Sequence, residues 1–285
     1  MNHTTLDIGG PIRVTDYGGN GPLILLVHGL GGSTENWDVT GPLLTTNGRV
    51  MAVDLIGFGE SLPGERRPSV EDNGRLVAEV INALDYNAAT LIGNSMGGLV
   101  SMITSVEHSA RVDRLVLVNP ALPVSRRHPP DLEVLTKLIG PLVPGIGVPA
   151  FRVYRAAHSP EEETAETLRM VTADSETVPD WARDRLTDAN RRRRDHDWAI
   201  PSFLEADRSI ARYVLRPRRF SRLIHRISAP TLLVHGSEDR LVSVDSARWA
   251  AEQRPDWTYV EMEGVGHVPM LEAADLFAEL ITDWL

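Results

Sequence analysis

Short apolar runs closed by Gly, Pro or Asp recur along the chain and predict β-strands. Seven segments fit this pattern: residues 12–17, 23–27, 50–54, 90–93, 115–119, 231–234 and 259–262. Most of them are continuous and rich in β-branched residues, which is typical of strands buried on both faces.

Helix-length stretches separate several of these strands. In residues 71–84 and again in residues 276–285, apolar residues recur at steps of three and four, as at Val77, Val80 and Leu84. This spacing predicts amphipathic helices. Strands that alternate with helices predict an α/β fold, in which a mostly parallel sheet is flanked by helices.

The alternation stops between residues 121 and 222. This stretch has helical patches but no clear strand, and it carries 18 basic and 15 acidic residues in a chain whose net charge is −10. Because predicted strands lie on both sides of it, we expect residues 121–222 to form a helical insertion on the rim of the sheet. The core then comprises residues 1–120 and 223–285.

Composition narrows the class of protein. Hydrophobic residues make up 42% and charged residues 24% of the 285 positions, as in an ordinary globular protein. The net negative charge argues against a nucleic-acid partner, and the four arginines at 191–194 are followed by Asp195 and Asp197, which predicts a solvated face. The longest aliphatic run, Leu23–Val27, is too short for a membrane span, and we expect a cytoplasmic protein.

The sequence predicts no metal and no organic cofactor. It contains no Cys, no His-Glu-x-x-His motif and no Cys/His cluster of the kind that holds zinc. No Gly-x-Gly-x-x-Gly motif follows a predicted strand, which argues against a dinucleotide fold. Candidate chemistry must therefore come from hydroxyl, imidazole and carboxyl side chains.

Residues 93–97 read Gly-Asn-Ser-Met-Gly and match the Gly-x-Ser-x-Gly nucleophile elbow. In that motif a strained turn between a strand and a helix lifts the serine hydroxyl above the sheet. A predicted strand at 90–93 precedes the motif and a helical pattern follows from Gly98, which is the context the motif requires. We interpret Ser95 as a nucleophile rather than as a capping residue in a Gly-rich turn.

A serine nucleophile needs a base, and the base needs an acid that orients it. Of the nine histidines, His267 alone combines a Gly-rich turn with a position just after the last predicted strand. His28 precedes the elbow, and His196 lies in a charged run. For the acid, Asp239 follows the strand at 231–234; we favour it over Glu238, because a shorter carboxylate at the loop apex suits a fixed contact.

Acyl transfer also needs two preorganised donors for the developing oxyanion. One is predicted to be the backbone N–H of Met96, which follows the nucleophile. The other should come from the Gly-rich loop at 28–32, where the Leu30 N–H is the first candidate and Gly31 is close behind. His28 is then interpreted as a residue that stabilises this loop.

Five segments, in order, resemble the α/β-hydrolase superfamily over nearly the whole chain. They read His-Gly-Leu-Gly-Gly at 28–32, Asp-Leu-Ile-Gly-Phe-Gly-Glu-Ser at 54–61, Gly-Asn-Ser-Met-Gly-Gly at 93–98, Gly-Ser-Glu-Asp at 236–239 and Gly-His at 266–267. The resemblance implies an α/β-hydrolase sheet, a triad of Ser95, Asp239 and His267, and a helical cap at 121–222. Relatives with an Asp nucleophile, the haloalkane dehalogenases and epoxide hydrolases, are excluded by Ser95.

The activity that we expect is hydrolysis of a carboxylic ester through an acyl-enzyme, as in lipases and esterases. The expected partner is a small-molecule ester with an apolar acyl or alcohol group. An apolar stretch at 132–151 either lines the pocket for that group or forms the core of the cap, and the sequence leaves both open.

Two alternatives remain. The elbow also resembles that of C–C bond hydrolases of aromatic ring-cleavage products. Their oxyanion loop generally reads His-Gly-x-Gly-Pro-Gly, whereas residues 28–33 read His-Gly-Leu-Gly-Gly-Ser. A non-catalytic ligand receptor on the same fold is a further possibility; such proteins can lose a triad member, and here all three are present.

Overall fold

A computed structural model describes residues 1–124 and 147–285. Within these ranges eight strands form one sheet in the order β1-β2-β4-β3-β5-β6-β7-β8. The strands are β1 Asn2–Asp7, β2 Pro11–Gly18, β3 Leu23–Val27, β4 Arg49–Val53, β5 Ala89–Asn94, β6 Val112–Val118, β7 Thr231–Gly236 and β8 Thr258–Met262.

The sheet is parallel from β4 through β8, and β1 and β2 are antiparallel additions at one edge. This confirms the predicted α/β class and the mostly parallel sheet. The pattern missed β1, because most of its residues are exposed at the sheet edge and it therefore has no apolar run. The residues of β2 were predicted as a strand, but that strand runs antiparallel to β4.

Ten α-helices accompany the sheet in the described part of the chain. They are α1 Val70–Ala83, α2 Met96–Glu107, α3 Gly147–Ala157, α4 Pro160–Val171, α5 Asp180–Arg194, α6 Ala199–Val214, α7 Pro217–Ile224, α8 Val244–Gln253, α9 Pro269–Glu272 and α10 Ala274–Trp284. The two helices predicted from apolar spacing correspond to α1 and α10. None of the helices described is long and apolar enough to span a bilayer.

Residue alternation in the strands divides the core into two clusters, one on each face of the sheet. In β3, Leu23, Leu25 and Val27 pack into the first cluster, while Ile24 and Leu26 pack into the second. Buried residues of α1 and α2 belong to the first cluster, and those of α10 to the second. Both faces of the central strands are therefore covered, which explains their continuous apolar sequences.

Helices α3 to α7 lie between β6 and β7 in the chain, where the sequence predicted a helical insertion. The assignment of residues 121–222 as a cap domain stays a prediction. Most of the apolar stretch at 132–151 lies outside the described residues. Its last residue, Phe151, packs against Phe203 of α6, with the two ring centres 5.6 Å apart.

Candidate active site

Ser95 occupies a sharp turn between β5 and α2. Its backbone has φ +55° and ψ −116°, a left-handed conformation that costs a non-glycine residue about 1–3 kcal/mol. A Cβ on Gly93 would lie 2.6 Å from the Gly97 carbonyl carbon, and one on Gly97 would lie 2.6 Å from the His28 carbonyl oxygen. Both distances are clashes, so the elbow closes this tightly only because glycine stands at both positions.

Asp239 and His267 meet beside this turn, on the loops that follow β7 and β8. The Nδ1 atom of His267 lies 2.7 Å from Oδ2 of Asp239, and both side chains are buried. Glu238, the other candidate acid, is exposed. The carboxyl group placed against the imidazole is therefore that of Asp239.

The Asp239 carboxyl group is surrounded by donors. Its Oδ1 accepts hydrogen bonds from the backbone N–H groups of Leu241, at 2.8 Å, and Val242, at 3.0 Å. Its Oδ2 accepts a further bond from Asn119 Nδ2 at 2.7 Å. Burial alone would raise the pKa of Asp239, but the nearby His267 and these donors hold that pKa below its ordinary value. The carboxylate is therefore ionised at neutral pH.

A second histidine, His235, also faces this carboxylate. Its Nε2 lies 2.8 Å from the Val242 carbonyl oxygen and 3.3 Å from Asp239 Oδ2. The ring is fully buried, and burial lowers its pKa, so the imidazole is neutral and donates from Nε2. The sequence analysis assigned no role to His235. Its position four residues before Asp239, at the end of a buried strand, was the signal that could have indicated one.

The backbone of His267 is held from two directions. Asn94, which precedes the nucleophile, donates from Nδ2 to the His267 carbonyl oxygen at 3.0 Å. The His267 N–H donates to the carbonyl oxygen of Val171, the last residue of α4, at 2.7 Å. The elbow and the end of α4 thus both hold the backbone that carries the imidazole. The motif alone could not reveal this role for Asn94, because it treats that position as variable.

The loop at 28–32 presents a fixed peptide group next to Ser95. A Cβ on Gly29 would lie 3.2 Å from the Ser95 Cβ. The Gly29 carbonyl oxygen accepts hydrogen bonds from the Gly32 N–H at 3.1 Å and from His28 Nδ1 at 2.7 Å. These two bonds fix the plane of the peptide that joins Gly29 to Leu30, and so they also fix the direction of the Leu30 N–H.

The predicted oxyanion donors are free to bind a ligand. Neither the Leu30 N–H nor the Met96 N–H has an acceptor among residues 1–124 and 147–285. The Gly31 N–H has none there either, so the choice between Leu30 and Gly31 stays a prediction. Unpaired backbone N–H groups near a serine are the kind of donor that can bind a developing oxyanion.

His28 holds this loop rather than acting as a base. The Leu55 N–H donates to its Nε2 at 3.0 Å, so the ring proton resides on Nδ1 and points at the Gly29 carbonyl oxygen. Burial lowers the pKa of His28 to about 4, which keeps the ring neutral and preserves this arrangement.

We expect His28→Phe to lower kcat by roughly 10- to 100-fold with little change in KM, because the peptide that carries the Leu30 N–H loses its anchor. Steady-state kinetics would measure this, with circular dichroism and thermal unfolding as checks on the fold. His225→Phe, at an exposed histidine, is the matched control and should behave as wild type. An H28F enzyme that keeps more than half of the wild-type kcat contradicts this role.

Helix α5 lies against the same loop through its arginines. Arg193 donates to the Gly31 carbonyl oxygen, and Arg192 pairs with Glu35 at 2.7 Å and with Glu60 at 2.8 Å. The prediction of a solvated face at 191–194 is therefore only partly right. Arg193 is only half-exposed and contacts the loop, because its guanidinium replaces water as the donor to a backbone carbonyl.

The residues described contain no group of three or more His, Cys, Asp and Glu side chains arranged to hold a metal ion. The described site therefore consists of Ser95 on its turn, the hydrogen-bonded pair of Asp239 and His267, and unpaired backbone N–H groups nearby.

Comparison with known proteins identifies the family. A model of the alpha/beta hydrolase family matches residues 24–280, which is most of the chain. The protein is an α/β-hydrolase. The match includes the turn at Ser95 and the loops that carry Asp239 and His267.

Several relatives match over most of their length, and two of them are bacterial hydrolases. One is the 2-hydroxy-6-oxo-6-(2'-aminophenyl)hexa-2,4-dienoic acid hydrolase of Metapseudomonas resinovorans, 27% identical over 94% of this chain and 85% of the relative. The other is the 2-hydroxymuconate semialdehyde hydrolase of Pseudomonas sp. strain CF600, 28% identical over 95% and 88%. This α/β-hydrolase chain is similar to both enzymes, and the similarity supports hydrolase activity.

A putative lipase from Acinetobacter baumannii AYE shares the fold. Its structure superposes with a TM-score of 0.79 at 22% identity and covers 99% of this chain and 90% of the lipase. At that identity the likeness concerns the fold.

Proposed function

We propose that the protein is a serine hydrolase that cleaves a carboxylic ester through an acyl-enzyme. The observation that carries this proposal is the 2.7 Å hydrogen bond between His267 Nδ1 and Asp239. With Nδ1 engaged by an ionised carboxylate, Nε2 is the ring nitrogen left to accept a proton from Ser95.

In this mechanism the Ser95 Oγ attacks the ester carbonyl carbon while His267 takes the hydroxyl proton. The carbonyl oxygen becomes an oxyanion that accepts hydrogen bonds from the Leu30 and Met96 N–H groups. The protonated His267 then donates to the departing alcohol, and the acyl group stays on Ser95. A water molecule repeats the attack with His267 as its base, which releases the acid.

The ion pairs made by the arginines of α5 favour an uncharged substrate. Two of its arginines are already neutralised, Arg185 by Asp38 at 2.5 Å and Arg192 by Glu35 at 2.7 Å. These guanidinium groups are not available to hold a second carboxylate without breaking a pair that is partly buried. A neutral ester places no such demand on the site.

A second candidate is hydrolysis of a C–C bond in a ring-cleavage dienoate. The names of the two bacterial relatives favour it, and so does Arg193. This guanidinium has no carboxylate within 4.0 Å in the described parts of the chain, and its buried Nε atom has no hydrogen-bond partner there. A cation beside the loop at 28–32 suits a substrate that carries a carboxylate.

The acyl-enzyme can be tested with a p-nitrophenyl ester and a serine-directed organophosphonate. An ester with a fast-leaving phenol and slow deacylation should release a burst of about one phenol per active site. The phosphonate should add its mass to Ser95, as located by peptide mass spectrometry, and should abolish turnover. Covalent label on a different residue, or full inactivation without label on Ser95, contradicts the proposal.

A further inference from the structure

A basic pocket lies on the helices between β6 and β7, and none of Ser95, Asp239 and His267 lines it. Its volume is about 430 Å³, and it is formed by α3, the end of α5 and the start of α6. The charged and imidazole side chains that line it are Arg152, Arg155, His158, Arg194, His196 and Asp197. None of them takes part in the chemistry proposed for Ser95.

Two of the guanidinium groups in this pocket lack an acidic partner. Arg152 is exposed, and no described residue forms a hydrogen bond or ion pair with its side chain. Arg155 forms no ion pair with the described carboxylates, and its Nε atom is buried without a hydrogen-bond partner. Its guanidinium lies over the Phe151 ring at 5.2 Å, which fixes its orientation. A buried donor left unpaired is costly unless a ligand satisfies it.

Arg194 also lines the pocket, but its guanidinium is already bound by other groups of the protein. It donates to the carbonyl oxygens of Arg155 and His158, the latter at 2.5 Å. It also lies 3.6 Å from Glu163. The end of α3 is thereby tied to the end of α5, so the pocket is held by a network within the protein.

The charge around the pocket is unbalanced. Among the residues that line it, the three arginines 152, 155 and 194 outnumber the one carboxylate, Asp197, which leaves a formal charge of +2. Burial, together with the charges of Arg155 and Arg194, lowers the pKa of the neighbouring Arg193 to about 10, although Arg193 itself does not line the pocket. An anion of charge −2 would offset this repulsion.

We propose that this pocket binds a dianionic phosphate group, held by Arg152 and Arg155. The planar guanidinium presents several donors in a geometry that matches phosphate oxygens, and the Arg155 Nε supplies one of them. The volume exceeds that of a phosphate ion, so the pocket has room for part of the molecule that carries the phosphate. The source is either a soluble phosphorylated compound or the phosphomonoester headgroup of a lipid.

Titration calorimetry with inorganic phosphate at low ionic strength tests the site. Wild type should bind one phosphate per chain, and both Arg155→Gln and Arg152→Gln should raise Kd by at least about tenfold. Arg169→Gln, at an exposed arginine of α4, is the matched control and should leave Kd within about twofold of wild type. The exposed side chain of Arg152 makes R152Q informative even if R155Q disturbs the fold.

A vesicle assay separates the two sources. Recruitment to phosphatidylcholine vesicles that contain phosphatidic acid, lost in R152Q and R155Q, identifies a lipid headgroup. Phosphate binding without recruitment identifies a soluble ligand. The proposal is overturned if wild type binds neither phosphate nor these vesicles, or if R152Q and R155Q bind as tightly as wild type.

Discussion

Replacing Ser95 with Ala is expected to lower kcat for every ester substrate by about 10⁵-fold or more. The hydroxyl oxygen is the atom that attacks the carbonyl carbon, and no other group in the described site offers an equivalent one. The fold should survive, because Ala and Ser meet the same backbone strain at φ +55°.

The matched control for this variant is Ser101→Ala. Ser101 is fully buried in α2, close to the elbow, but its hydroxyl oxygen has no hydrogen-bond partner among the described residues. S101A should therefore keep kcat within a few-fold of wild type. Retention of more than a tenth of the wild-type rate by S95A would refute the assignment of the nucleophile.

Asp239→Asn should lower kcat by about 10⁴-fold while the protein stays folded. The N–H groups of Leu241 and Val242 favour the amide oxygen at the Oδ1 position. The amide NH₂ group then faces His267 Nδ1, which must act as an acceptor. The ring proton then resides on Nε2, and this nitrogen can no longer accept a proton from Ser95.

Glu238→Gln is the matched control, because Glu238 is the adjacent exposed carboxylate. It should change kcat by less than about twofold. Since the pKa of Asp239 lies below its ordinary value, the carboxylate is ionised at neutral and alkaline pH, and the loss in D239N should be constant there. A large loss in E238Q with a small loss in D239N would transfer the role of the acid to Glu238.

The parts of the fold that could be predicted are those encoded locally. The central strands are buried on both faces, so their residues form continuous apolar runs, and the elbow at Ser95 requires glycine at fixed positions. The strand β1 has neither signal, because it lies at an edge and most of its side chains are exposed. Its pairing with β2 depends on the folded sheet.

The contact of Asn119 with the acid could not be predicted, because the two residues are distant in sequence. Asn119 and Asp239 are 120 positions apart and are brought together by the adjacent strands β6 and β7. The length of the side chain favoured Asp239 over the adjacent Glu238, but that argument alone does not decide which carboxyl group faces the imidazole. The folded loop decides it, since Asp239 is buried against His267 while Glu238 faces solvent.

The arginines of α5 also make contacts with residues distant in sequence, which the sequence did not predict. A run of four arginines followed by acids predicts a solvated helix, yet Arg193 reaches the Gly31 carbonyl oxygen of a loop far away in the chain. Which arginine turns inward depends on how α5 packs against the core. The sequence reveals the inward face of a helix only when apolar residues recur along it.

The most direct test of the central claim compares kcat/KM for two classes of substrate on the same enzyme preparation. One class is a series of p-nitrophenyl esters of rising acyl chain length, and the other is a ring-cleavage dienoate. Arg185 and Arg192 of α5 are already paired with carboxylates, which favours a neutral substrate. We therefore expect the best ester to exceed the dienoate by at least about 100-fold in kcat/KM. A dienoate turned over with a higher kcat/KM than every ester would contradict the ester assignment and establish C–C bond hydrolysis in its place.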